Sequence, residues 1–449
     1  MKKIFAFIAA SCLSATVLLC GCSLPFGGSN GRDGVDGKNA SAYDYYELAK
    51  TIPGNENMTI DEFLREYLNY SSEELEEAFG LQASINRSLR SAVSIAAQFS
   101  DGGTSLGSGV IVDLDKERGD AYVITNCHVI YNDGGYSSNY PKNVYLYLYG
   151  QDSDYNDDNN RFSATLVGSS ITYDIALLKV TGSELLKKSA AEAAKFVSEE
   201  DIYLGEDVYA IGNAEGQGMS AVRGIVTKDR ELVPLNISDR YAGYDRYTRY
   251  YNVIRTDAAV NEGNSGGALF NRKGEIVGII NSKSGDEEDN QGFTIDDIDG
   301  MSYALPASAV KRLYPLMKEN GTNGNLSRAH FVVEDDFNKA DASSLSSQNK
   351  IQVESKASAS TWDSENDRLV INEKISVIRD CYGLKAGDLI THIKITNGET
   401  VVEDMDVTRM YNLNDTLLSA RQGHTVVITV YRGNEKIDVT AQMSFSTFD

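Results

Sequence analysis

Thr256-Asp-Ala-Ala-Val-Asn-Glu-Gly-Asn-Ser-Gly-Gly-Ala-Leu-Phe270 is the stretch on which the reading of this 449-residue chain turns. Its centre, Gly263-Asn264-Ser265-Gly266-Gly267, surrounds one serine with residues of little bulk. A serine hydroxyl is a weak nucleophile until a base takes its proton. Acyl transfer also needs backbone N–H groups aimed at the oxyanion that forms. Glycines let the chain turn tightly and leave such groups uncovered. Gly263 and Ser265, with Asn264 between them, are the candidate oxyanion hole. Small residues around a serine also mark ordinary tight turns, so this stretch alone leaves both readings open.

Two other segments narrow the choice. Ala121-Tyr-Val-Ile-Thr-Asn-Cys-His-Val-Ile130 reads as a β-type run that carries His128. Tyr173-Asp-Ile-Ala-Leu-Leu-Lys-Val180 puts Asp174 at the head of an apolar strand. The chain order His, Asp, Ser is that of a chymotrypsin-type triad. In that chemistry Ser265 attacks, His128 carries the proton, and Asp174 fixes the tautomer of His128. Asp174 as a mere strand-capping carboxylate is the blander alternative.

With Gly107-Ser-Gly-Val-Ile-Val112, Ala210-Ile-Gly-Asn213, Gly224-Ile-Val226 and Ser302-Tyr-Ala-Leu-Pro306, these segments resemble the HtrA-type (DegP-like) trypsin-fold serine proteases across roughly residues 90 to 315. Glu262 and Ala268 stand where that family often has proline. The resemblance implies a mainly β chain: a chymotrypsin/trypsin-like double β-barrel over 88–322, then a PDZ-like α+β domain over 326–446. The runs 110–112, 122–124, 143–148, 175–180, 208–211, 253–255 and 276–280 read as its short strands. Ala259, six residues before Ser265, resembles the floor of the S1 pocket. An uncharged floor predicts small or medium apolar P1 side chains rather than Lys or Arg. Asn281, Ser282 and Lys283 resemble the strand that pairs with the substrate backbone. The resemblance further implies unfolded polypeptides or peptide C-termini as substrates, and a homotrimer. A non-enzymatic chaperone or scaffold is the competing function class; an intact triad argues against it.

At the start of the chain, Lys2 and Lys3 precede an apolar run from Ile4 to Leu19, then Cys20-Gly21-Cys22. A basic head and a short apolar stretch make an export signal, here over residues 1–21. Gly21 before Cys22 resembles a bacterial lipobox, which makes Cys22 the candidate lipid attachment site. The expected location is the extracytoplasmic face of a bacterial cell membrane, held by that lipid. Residues 22–42 read as anchor and tether, with Gly28, Gly31, Gly34 and Gly37 in register but no proline to support a triple helix. Residues 43–87 read as a helical spacer, opened by the capping pairs Thr59/Glu62 and Ser71/Glu74.

The formal charge is −23, and loss of residues 1–21 removes two lysines more. So acidic a chain excludes nucleic acid as a partner. The cysteines form neither a disulfide framework nor a metal-ligand pattern, so no metal and no cofactor are expected. Cys127 and Cys381 read as free buried thiols. The acidic segment 151–160 departs from a calcium-binding loop at Asp157 and Ser163 and reads as a solvated hairpin. The Tyr- and Arg-rich segment 232–251 reads as a loop, regulatory by resemblance or packed on a neighbouring subunit. After Pro306 a helix over 307–319, kinked at Pro315, leads to an Asn/Gly linker.

In the C-terminal part, Tyr382-Gly-Leu-Lys-Ala-Gly-Asp-Leu-Ile390 carries the PDZ resemblance, with a groove helix over 414–420 and closing strands over 425–431 and 436–440. Arg328-Ala-His-Phe-Val-Val333 aligns with the carboxylate-binding segment, but Ala329 and Val332 replace its glycines. The Ser-rich stretch 340–367 is polar and reads as irregular.

Overall fold

The computed structural model describes residues 72–131, 140–151, 158–170, 173–198, 202–237, 247–283, 301–320, 332–335, 350–363, 368–377, 383–421 and 423–443, with isolated positions between 46 and 63. The chain divides into a unit Met1–Ala83 and a unit Ser84–Asp449. In the first, the rings of Tyr46 and Phe63 meet edge to face at 5.8 Å. The signal, Cys22 and the tether lie outside the described residues.

The second unit is mainly β. Strands β1 (Ala92–Gln98), β2 (Thr104–Asp115), β3 (Asp120–Thr125), β4 (Asn143–Leu148), β5 (Arg161–Ser170) and β6 (Ile175–Val180) close into a barrel in the order β1-β2-β3-β6-β5-β4. Every neighbouring pair is antiparallel. Alternation decides which side chains fill it. Val93, Ile95 and Ala97 of β1 point inward with Val123, Leu146, Ala176 and Leu178.

A second barrel follows. Short β7 (Lys195–Phe196) precedes β8 (Asp207–Gly212), β9 (Ser220–Ile237), β10 (Tyr247–Thr256), β11 (Ala268–Asn271), β12 (Glu275–Lys283) and β13 (Ser302–Pro306). Their order is β11-β8-β9-β10-β13-β12, and β11 pairs back onto β12 to close the ring. β7 adds parallel to β12. Val208, Ala210, Val226, Ile254, Leu269, Val277 and Ile280 build the core. β9 and β10 run on as a long hairpin to the pairing Ile237↔Tyr247. Much of the segment expected as a loop over 232–251 is therefore strand. Its tyrosines and Thr248 favour strand, and cross-strand pairing outweighs the charges among them.

The helix Ala307–Asn320 leaves β13 and continues through Pro315. Its Met317 lies against Gly168 of β5, where an added Cβ would come within 2.9 Å of the Met317 carbonyl.

The C-terminal module is a mixed sheet. Its strands are β14 (Val332–Asp335), β15 (Lys350–Asp363), β16 (Arg368–Val377), β17 (Leu389–Asn397), β18 (Thr400–Asp406), β19 (Thr425–Arg432) and β20 (Glu435–Gln442). The order is β14-β15-β16-β17-β19-β20, with β18 paired to β17. The Ser-rich stretch expected as irregular thus contains a fourteen-residue strand, β15, antiparallel to β16. The helix Met410–Leu417 begins four residues before the expected 414. Its start is fixed by Asn412, whose Oδ1 accepts from the Arg409 N–H at 2.9 Å. Ile393, Ile395, Leu413, Leu417, Val426 and Ile428 form the core of this module.

The module is joined to the second barrel by buried and partly buried polar contacts. Arg312 of the linker helix forks onto Glu403 of β18 at 2.9 and 3.2 Å. Ser308 donates to Asp415, Arg409 pairs with Asp229, and the Arg230 guanidinium lies 4.2 Å over the Tyr411 ring.

Candidate active site

Three chain segments from the two barrels meet around Asp174. It sits just before β6 with φ of +47°, a left-handed conformation rare for a residue with a Cβ. That twist turns a buried carboxylate toward the chain after β3. There the strand reading of 121–130 needs correction. β3 stops at Thr125, and Cys127–Ile130 form one helical turn. The cause is local. The His128 N–H donates to Asp174 Oδ1 at 2.8 Å instead of continuing a ladder. The same turn brings His128 Nδ1 to Asp174 Oδ2 at 2.7 Å. Asn126 adds Nδ2 to the Asp174 carbonyl at 2.8 Å.

The His128 pKa is raised above its usual 6.5. Loss of water around the ring lowers it, and the charge and hydrogen bond of Asp174 outweigh that loss. The side chain remains 49% exposed, so its other edge faces the cleft. Cys127 is buried and free, and burial followed by the Asp174 charge pushes its thiol well above the ordinary range. A reactive thiol needs the opposite environment.

The serine turn is held between the barrels by its backbone. Ser108 of β2 donates its hydroxyl to the Gly263 carbonyl at 2.7 Å, and its N–H to the Ser265 carbonyl at 2.8 Å. Gly266 N–H and Gly267 carbonyl pair with Ile280 of β12. Gly263 and Gly266 have φ of +89° and +83°. A Cβ on either would approach backbone oxygen to 2.2 Å, Asn213 for the first and Ser108 for the second. Only glycine fits both the dihedral and the space. Among the described residues no acceptor takes the N–H of Gly263 or of Ser265. The N–H of Asn264 is committed to the Asn261 carbonyl at 3.1 Å, so of the three expected oxyanion residues two offer free donors.

Ser265 donates its hydroxyl to the Asn281 carbonyl at 3.2 Å. Asn281 is buried, and its side-chain Nδ2 donates to Asp174 Oδ2 at 2.8 Å. One residue thus touches both the serine and the aspartate. Sequence reasoning placed Asn281 on a substrate strand and missed this contact. The available signal was a polar side chain directly after the apolar run 276–280. Ser282 and Lys283 pair with Tyr303 and Ser302 across a bulge at Asn281. Ala259 is exposed, beside a buried Ala258 whose N–H bonds Thr256 Oγ1 at 3.2 Å. Gly224 lets β9 approach there, since a Cβ would lie 2.4 Å from Ala258 N. The described residues hold no cluster of His, Cys, Asp and Glu that could bind a metal.

A model of the trypsin-like peptidase domain matches residues 107–279. The chain is 30% identical over 348 residues to the serine protease Do-like HtrA of Lactococcus lactis subsp. cremoris strain MG1363, covering 77% of this chain and 72% of that protein. It is 35% identical over 256 residues to the serine protease Do-like HtrA of Bacillus subtilis strain 168, covering 56% and 47%. The periplasmic serine endoprotease DegP of Escherichia coli strain K12 matches at 33% over 217 residues, covering 48% and 36%.

Proposed function

This chain belongs to the HtrA family of Do-like serine proteases and is a serine endopeptidase, and we propose that it cleaves unfolded or damaged exported proteins with His128, Asp174 and Ser265 as its triad. The observation that carries this assignment is the contact path Ser265–Asn281–Asp174–His128, each link a hydrogen bond of 3.2 Å or less.

In this mechanism the Ser265 hydroxyl leaves the Asn281 carbonyl by rotation about its Cα–Cβ bond and turns to His128. His128 Nε2 takes the proton as Ser265 Oγ attacks the scissile carbonyl. Asp174 holds the imidazolium through Nδ1. The N–H groups of Gly263 and Ser265 receive the oxyanion. The imidazolium then protonates the leaving amine, and water repeats the sequence on the acyl-enzyme. Ala259 and the strand 281–283 select small or medium apolar P1 residues and align the substrate backbone.

The remaining reading follows the sequence. Cys22 carries the lipid that holds the protein on the extracytoplasmic face of the membrane, 23–42 is tether and 43–87 spacer, and 88–322 is the protease. Residues 326–446 form a PDZ-like module, and the assembly is a homotrimer. Among the described residues no helix is long and apolar enough to cross a membrane. Cys22→Ala should move the protein to the soluble fraction or leave the signal uncut. Unchanged fractionation with normal processing would remove the anchor from this reading.

Cleavage of β-casein by wild type and by Ser265→Ala tests the mechanism. The variant should be inert while folding normally. Cleavage at the wild-type rate by a homogeneous variant would overturn the triad assignment.

A further inference from the structure

We infer that Asn281 is a positioning residue of the catalytic site, and that its side-chain amide sets the basicity of the Asp174–His128 pair. This rests on the triad reading above and deepens it.

Asp174 Oδ2 accepts two hydrogen bonds, one from His128 Nδ1 at 2.7 Å and one from Asn281 Nδ2 at 2.8 Å. The two donors therefore share one oxygen. A carboxylate oxygen that accepts a second N–H spreads its charge over two partners and attracts each less. Asn281 thus tempers the pull of Asp174 on the imidazolium. Without it the whole charge of that oxygen acts on His128, which then holds its proton more tightly. The ring also loses part of its orientation, because Asn281 helps to fix the carboxylate that holds it.

Two features argue that the amide is built for this purpose. Asn281 is 2% exposed, and a buried amide is retained only where it is bonded. It also stands at the bulge in β12, between the paired residues Ile280 and Ser282. A bulge re-aims a side chain that regular pleating would send elsewhere.

The other titratable groups near this oxygen are few among the described residues. Cys127 lies on the His128 turn, and its raised thiol stays neutral. Asn126, Asn264 and Ser265 are neutral. Glu215 and Glu262, on the loops joined by the Glu215 N–H to Glu262 carbonyl bond, are exposed. Asn281 is the neutral group that touches the carboxylate from the second barrel.

The test is Asn281→Leu, close to asparagine in shape and without a donor, measured on a peptide substrate as kcat, KM and kcat/KM against pH. The serine variant runs beside it. We expect kcat to fall about 10- to 100-fold, the range for one hydrogen bond to a charged group, with KM changed less than about threefold. The acid limb of the profile should move up by roughly one pH unit. Asn281→Ser, which keeps a donor, should recover part of the rate and shift the limb less. Asn281→Ala repeats the measurement if leucine disturbs the fold. An unmoved acid limb, or a loss that falls wholly in KM, would reduce Asn281 to a substrate-strand residue and overturn the inference. Failure of the triad reading looks different: there Ser265→Ala itself retains activity.

Discussion

Two buried aspartates of this chain, Asp174 and Asp388, solve the same problem with different partners. Both are removed from water. Asp388, at the edge of the C-terminal core, is met by the guanidinium of Arg432 with two hydrogen bonds of 2.7 Å and by the Lys385 N–H at 2.8 Å. The permanent charge of arginine holds its carboxyl below the usual range against the opposing effect of burial. Among the described residues Asp174 is met by no arginine or lysine. Its side-chain partners are a histidine, whose charge comes and goes near neutral pH, and a neutral amide. A carboxylate tied to a fixed cation is a rivet. One tied to a histidine is left with attraction to spend on a proton in transit.

The contrast predicts opposite consequences of mutation. Asp174→Asn should cost on the order of 10⁴ in turnover, because the amide presents the wrong partner to Nδ1. It should leave the melting transition nearly in place, since asparagine tolerates the same left-handed backbone. Matched calorimetry and kinetics check this, and a large drop in stability would blur the distinction. Arg432→Leu should do the reverse. Leaving Asp388 buried and unpaired should cost about 3 kcal/mol of stability in the C-terminal module, read by denaturant unfolding. Cleavage of a short peptide should survive under native conditions.

Acid should also separate the two sites. The His128 pKa is raised, so its pairing with Asp174 contributes stability fully below the unfolded value of about 6.5 and loses it as pH rises through the folded value. Activity runs the other way, because a protonated His128 is no base. The Asp388 pKa is lowered, so its contribution is present above about 3.8 and is lost as pH falls through the folded value. Between those ranges the enzyme should be inactive, folded and recoverable on neutralisation. Irreversible loss near pH 5 would break this comparison. The smallest effect belongs to Cys127. Beside His128 but buried, its thiol should resist iodoacetamide at pH 8 in the native state and react on unfolding.

The sequence carried the triad candidates because catalysis demands particular residues beside glycines that nothing larger can replace. The barrel strands were legible for another reason: the alternation over 143–148 and the apolar run over 175–180 survive in one chain. What escaped was decided by partners distant in sequence. β15 is polar and Ser-rich, and its strand character comes from pairing with β16. The helical turn at 127–130 depends on an acceptor 46 residues away. Asn281 was legible as a strand residue, and its meaning as a partner of Asp174 required the bulge.

The left-handed backbone of Asp174 has one more consequence, for how this chain could change over generations. A glycine there would relieve the dihedral but leave the His128 N–H and the buried Asn281 amide without their acceptor. Asparagine tolerates the same backbone and keeps an acceptor for the His128 N–H. A duplicated copy freed from the need to cut peptides would have a nearly level route at this position, through asparagine, toward a protein that binds chains without cleaving them. The left-handed aspartate is the place where that drift should start.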